Sequence, residues 1–161
     1  MSRPDLVLVG LPGSGKSSVA ALLAQRWGRP LVDVDDLVEA RLGQSAPEAF
    51  ASGEGAYRAV EEQVCLAVLD GPGVVAMGSG AVDSAAVRAA LAGVDVAWLR
   101  TSVTTATRRL RMNSLGMAAL VAIRDRMDAM LAERARWYAE VATVVVDTDR
   151  RTAADVAAAL S

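Results

Sequence analysis

The chain contains no histidine and only one cysteine among its 161 residues. Without histidine, the commonest metal ligand and the commonest general base are both missing, so acid–base chemistry falls to carboxylates, lysine or water. A lone cysteine excludes an internal disulfide and a four-thiolate metal site. That residue, Cys65, stands among apolar neighbours in EEQVCLAVL, the setting of a buried, inert thiol. Aromatic residues are scarce, 4% against 53% hydrophobic, so the core has to be packed from Ala, Val and Leu. Positive charge is not in excess either, with 17 basic and 19 acidic residues. That balance argues against a nucleic-acid partner gripped through a broad basic face. No segment approaches the ~20 apolar residues of a membrane helix, and the apolar run in MSRPDLVLVG is too short for a signal peptide. A soluble, cytoplasmic protein is expected, monomeric with oligomerisation left open.

What is present is alternation. Short β-branched runs at 5–9, 31–34, 73–77, 94–99 and 143–147 read as strands. Helical spacing follows at 18–27, 54–69, 84–91, 103–111, 123–141 and 152–160. Strands alternating with helices predict a single α/β domain, a parallel sheet of about five strands with helices on both faces. No repeat, linker or second domain interrupts the pattern.

Between the first strand and the first helix stands GLPGSGKS, Gly10 to Ser17, a full match to G-x-x-x-x-G-K-[ST] in the strand–helix context the motif requires. Its glycines let the loop of Leu11, Pro12, Gly13, Ser14 and Gly15, continuing into Ser18, curl its backbone N–H groups (Pro12 has none) around an anion at a helix N-terminus. Lys16 reaches phosphate oxygens, and the Ser17 hydroxyl can ligate Mg²⁺. The chain is expected to bind ATP with Mg²⁺.

Other residues gather at the strand ends where open parallel sheets bind ligands. Asp33 and Asp35, in LVDVDDLVEA, lie two apart at the end of the second strand and can face one cleft. Such a pair can serve Mg²⁺ and a substrate hydroxyl; equally, Asp35 or Asp36 can be the cap of a helix through Leu37 and Val38. Arg58 and Glu61 are spaced to pair on a helix. Glycines in MGSGAV follow the third strand and allow close backbone approach. Of the tryptophans, Trp27 and Trp98 read as packing residues, while Trp137 falls near the cleft. Arg150 and Arg151 either line a nucleotide site or form a solvated pair.

Taken in order, GLPGSGKSS, DVDDLVE, FASGEGAYRAVEE, GSGAV, the Arg108-Arg109 pair, AERARWY and VVVDTDRR give the chain a resemblance to shikimate kinases, within the nucleoside-monophosphate-kinase-like P-loop group. The resemblance covers nearly the whole chain. It implies a substrate-binding helical segment at about 35–62 and a mobile lid at about 112–122. It makes Lys16 and Asp35 the catalytic pair, Asp35 accepting the proton of a shikimate hydroxyl or orienting it. Asp33 would sit near Mg²⁺, and Arg109 beside the adenine. Arg58, oriented by Glu61, and Arg134 would clamp the substrate carboxylate, with Gly78, Ser79 and Gly80 lining the ring.

The chain departs from the family pattern twice. Ser79 replaces the middle of three consecutive glycines, and the lid MNSLGMAALVA carries no charge, with Gly116 where the family has an arginine. An arginine acting on a transferring phosphoryl group is worth roughly 10³–10⁵ in rate, about 4–7 kcal/mol of barrier. Arg111, Arg124 or Arg126 could substitute; the apolar lid could serve another acceptor, such as an aminoshikimate, a cyclitol or gluconate; or the chain could bind ATP in a regulatory role without transferring phosphate.

Overall fold

The computed structural model describes residues 2–111 and 115–161. Five strands form one parallel sheet: β1 (Leu6–Val9), β2 (Leu31–Asp33), β3 (Val74–Ala76), β4 (Val96–Arg100) and β5 (Val144–Asp147), in the order β2-β3-β1-β4-β5. β1 lies at the centre, with Val7 opposite both Val75 and Val96. All four of its residues are buried, as a strand covered on both faces requires.

Alternation along the strands divides the core. Leu6, Leu8, Val74, Ala97 and Leu99 point to one face, where α1 (Lys16–Trp27) and α8 (Ala153–Leu160) cover them. Val7, Val9, Val75, Val96 and Trp98 point to the other. That face is covered by α2 (Val34–Leu42), α3 (Ala46–Ser52), α4 (Glu54–Val68), α5 (Ala85–Ala90), α6 (Val103–Arg109) and α7 (Met117–Val141). A 3₁₀ turn, Ala81–Asp83, precedes α5. Aliphatic side chains fill both layers. Cys65 is buried among them, and burial pushes its thiol pKa up.

Side-chain caps mark the starts of α2, α3, α5, α6 and α8, and two helix starts differ from the sequence expectation. β2 ends at Asp33, and Asp33, not Asp35 or Asp36, caps α2 by accepting from Asp35 N at 3.1 Å. Asp35 therefore stands in the first helical turn, not two residues along a strand. α7 starts at Met117, six residues before the expected 123, so most of the uncharged segment is the first turns of a 25-residue helix. Met112, Asn113 and Ser114 of the expected lid lie outside the described residues. Among the described residues no helix is long and apolar enough to cross a membrane.

Candidate active site

The glycine loop leaves the C-terminal end of β1 and enters α1 at Gly15, a cap position with no side-chain acceptor for the first-turn N–H groups. Gly13 has φ of 80°, and a Cβ there would lie 2.5 Å from the Ala106 carbonyl oxygen, so both backbone angle and close approach demand glycine. Lys16 is folded over the loop, Nζ donating to the carbonyls of Gly10 at 2.8 Å and Leu11 at 3.0 Å. Burial draws its pKa down to about 8, with Asp35 and Asp33 opposing that pull. Ser17 Oγ donates to Asp33 Oδ2 at 2.6 Å. Asp33 thus caps α2 with one carboxylate oxygen and meets the loop with the other. Those hard oxygen donors, hydroxyl and carboxylate, suit Mg²⁺.

Beside the loop is a cavity of about 370 Å³ lined by Gly13, Ser14, Gly15, Ser18, Arg109 and Arg151, among others. Arg109 organises its wall. Nη1 donates to Ser14 O and Thr148 Oγ1, and Nη2 to the carbonyls of Thr148 and Arg151, so one guanidinium ties the loop to the β5–α8 connection. Arg150 parts from its neighbour and lines a different cavity with Arg100 and Asp147.

On the other side of the loop a cavity of about 560 Å³ brings together Pro12, Lys16, Asp35, Arg58, Ser79 and Arg134. Its apolar wall comes from α3 and α4, with Pro47, Phe50 and Tyr57. Burial raises the Asp35 pKa, against the pull of the Lys16 charge. Each arginine in this cavity arrives with its own carboxylate. Arg58 Nη1 donates to Glu61 Oε1 at 2.7 Å, and Glu61 is 4% exposed. Burial raises the Glu61 pKa, and the Arg58 hydrogen bond opposes that rise. Arg134, 8% exposed, gives Nε and Nη2 to the two oxygens of Asp83 at 3.0 Å each. Burial works against the Arg134 charge, and the Asp83 pair more than offsets it.

The segment Gly78–Gly80 makes room for this machinery. A Cβ on Gly78 would collide with Glu61 Oε2, and one on Gly80 with the Arg58 guanidinium. The glycines are therefore spaces for the protein's own side chains as well as a cavity wall. Ser79 is not among the residues with positive φ, so the backbone accepts its Cβ without strain. Its carbonyl accepts from the fully buried Tyr138 Oη at 2.6 Å. Trp137 lies between the guanidinium groups of Arg88 and Arg136, each 4.5 Å from the ring centre, and does not line the cavity.

The uncharged segment enters α7 at Gly116 and carries exposed apolar side chains, Met117 at 75% and Val121 at 50%. Of the flanking arginines, Arg124 is held by Thr104 Oγ1 at 2.5 Å. Arg126 is exposed, and Arg111 sits in the left-handed region with φ of 59°. Three residues of the site were not singled out from sequence for contributing to it: Asp83, Tyr57 and Tyr138. Asp83 stands 51 residues from its partner, and no local spacing connects them.

A phosphate-binding loop between two cavities, one lined by the Asp35 carboxylate and two arginines, is the site of a small-molecule kinase of the P-loop class. The chain belongs to the shikimate kinase family: the shikimate kinase family model matches residues 12–161. It is 46% identical over 153 residues to the shikimate kinase of Mycobacterium tuberculosis, covering 92% of this chain and 86% of the relative. Identity to the shikimate kinase of Thermobifida fusca is 39% over 158 residues, covering 97% and 92%. The Acinetobacter baumannii shikimate kinase solved in complex with shikimate superposes with a TM-score of 0.88 at 28% identity, covering 98% of this chain and 90% of that one.

Proposed function

We propose that this chain transfers the γ-phosphoryl group of ATP to a hydroxyl of shikimate, giving shikimate 3-phosphate and ADP. The observation that carries this reading is the placement of Lys16, Asp35, Arg58 and Arg134 on one cavity that shares the glycine loop with its neighbour. ATP would lie in the cavity beside Arg109 and Arg151, its phosphates wrapped by Gly13, Ser14, Gly15 and Ser18 with the Lys16 ammonium on the terminal oxygens. Mg²⁺, held by Ser17 with Asp33 beside it, would supply charge neutralisation on the phosphates.

The acceptor carboxylate would meet the donors that Arg58 and Arg134 retain after pairing with Glu61 and Asp83. A guanidinium suits that task because its planar fork matches a carboxylate. The acceptor hydroxyl oxygen attacks the γ-phosphorus, the bond to the β–γ bridging oxygen breaks, and the hydroxyl proton passes to Asp35. Burial raises the basicity of Asp35, the direction a proton acceptor needs. Catalysis is then mainly alignment and charge neutralisation.

Acceptor-dependent ADP release from MgATP tests the reading. Release with shikimate at about 1–100 s⁻¹, the usual kinase range, is the expected result. Binding of ATP without release on shikimate would sink it. Release on an aminoshikimate, a cyclitol or gluconate instead would make the uncharged lid the mark of another acceptor. That second reading rests on Gly116 and the exposed Met117 and Val121.

A further inference from the structure

Tyr57 stands in the second turn of α4, one residue before Arg58, and lines the 560 Å³ cavity together with Asp35, Glu61 and Ser79. Its ring is fixed from two sides. It meets Phe50 edge-on, with centroids 5.7 Å apart at 71°, and carries the Arg58 guanidinium carbon 5.6 Å from its centre. The residue is only 7% exposed, yet its hydroxyl makes no hydrogen bond to any described residue. A phenol this far inside a protein normally finds a partner, because an unpaired buried hydroxyl is costly. The hydroxyl is not sealed in either: Ser14 Oγ is the fully enclosed side-chain polar atom without a partner among the described residues, and Tyr57 Oη is not of that kind. The cavity that Tyr57 lines is the opening beside it.

We infer that Tyr57 Oη is a specificity-determining contact, a hydrogen-bond partner for a ring hydroxyl of the acceptor other than the one phosphorylated. The inference rests on the kinase reading above. Within the cavity Arg58 and Arg134 face a carboxylate, Asp35 the reacting hydroxyl and Lys16 the phosphates, which leaves the Tyr57 and Ser79 hydroxyls for the rest of the acceptor. A polyhydroxylated ring brings further hydroxyls that each need a partner on entering a mostly apolar pocket. Burial pushes the Tyr57 pKa up to about 12, so the phenol remains a neutral donor across the working pH range. A site built to bond a substrate hydroxyl also discriminates against an analogue that lacks it, because its own polar group is then left unpaired.

Tyr57→Phe removes the hydroxyl and keeps the ring on Phe50. The test is titration calorimetry of shikimate and its monodeoxy analogues on both proteins, alongside acceptor and ATP kinetics. Tyr57→Phe is expected to weaken shikimate binding about 3- to 10-fold, the ratio one neutral hydrogen bond supplies, with the KM for ATP unmoved. It should also abolish the preference of the parent protein for shikimate over one monodeoxy analogue. Unchanged shikimate affinity in Tyr57→Phe overturns the inference, as does an equal loss on every analogue, which marks ring packing. Parent protein that binds shikimate without turning it over overturns the kinase reading while leaving the Tyr57 contact measurable. Parent protein that binds no shikimate overturns both.

Discussion

The two ends of the cleft are built from different materials. The phosphate end is made largely of backbone: a glycine loop, a helix start without a side-chain cap, and two carbonyls that hold Lys16. The acceptor end is made of side chains in pairs, Arg58 with Glu61 and Arg134 with Asp83, set against an apolar wall. Backbone geometry of this kind tolerates any anion of the right shape, so it binds phosphate generically. On the proposed reading, selectivity among acceptors has to come from the side chains of the acceptor end, the two arginine pairs and Tyr57. A change at the phosphate end should therefore abolish activity toward all acceptors, whereas a change at the acceptor end should shift which acceptor is used and how tightly.

The largest expected effect is at the phosphate end. Lys16→Ala removes the one cation that the loop carries to the phosphates, and kcat/KM should fall by about 10²–10³-fold or more, equally for every acceptor. Steady-state ADP release measures this. Turnover at the parental rate would show that the backbone alone suffices and would dissolve the distinction drawn above.

Gly116→Arg probes the join between the two ends. Gly116 has φ of −59°, and a Cβ there would meet nothing within 4 Å, so the position accepts a side chain without strain. If the lack of a cation at this position limits transfer to shikimate, the rate constant should rise by roughly 10–10³-fold, part of what an arginine on a transferring phosphoryl group supplies. Single-turnover transfer reads the chemical step directly. No gain on shikimate, together with loss on another acceptor, would mean that the uncharged α7 start is tuned to that acceptor.

The same contrast explains what could be read from the residues in order. The phosphate end was legible because Gly10 to Ser17 is contiguous and its chemistry lies in the backbone. The five strands were legible from their apolar runs, and the Arg58–Glu61 pair from its three-residue spacing. Arg134 was placed in the cavity through family resemblance alone, whereas Asp35 was also marked by its position at the end of the second strand. The strand-based argument for Asp33 and Asp35 failed because helix capping by Asp33 competes with strand extension, and a cap needs one residue where a strand needs several. Asp83 was invisible, since only the tertiary fold brings the turn before α5 against α7. The start of α7 was set late because Gly116 and the apolar stretch after it give no side-chain cap to mark it.

Asp83 is where the acceptor end should break alone. Asp83→Ala leaves the buried Arg134 without its partner. An unpaired buried charge costs several kcal/mol, but Asp83 is 35% exposed and water screens part of that loss. A stability decrease of about 1–3 kcal/mol is expected, read from the denaturant midpoint. Adding Arg134→Met to the same chain should restore most of it, because the uncompensated charge is then gone. A loss that persists in the double variant would assign the effect to the turn rather than to the pair. In the single variant, ATP affinity should stay at its parental value while the acceptor KM rises.

The pH dependence of nucleotide binding separates the ends most finely. Burial sets the folded Lys16 pKa at about 8, below its ordinary 10.5. Between those values the folded chain holds fewer protons than the unfolded one, so the cost of burying a charged Lys16 is fully present below pH 8 and is relieved as pH rises toward 10.5. Stability gains from that relief, while phosphate binding loses, because a neutral amine no longer attracts the anion. The Kd for ATP should be level below pH 8 and climb by up to about tenfold per unit above it, with Lys16→Met weaker throughout and without the climb. The Kd of shikimate should not follow the same curve, since on the proposed reading its carboxylate is met by guanidinium groups, and a guanidinium keeps its charge across this range. If both ligands weakened together above pH 8, Lys16 would be serving the acceptor as well as the phosphates, and the two ends would have to be treated as one site.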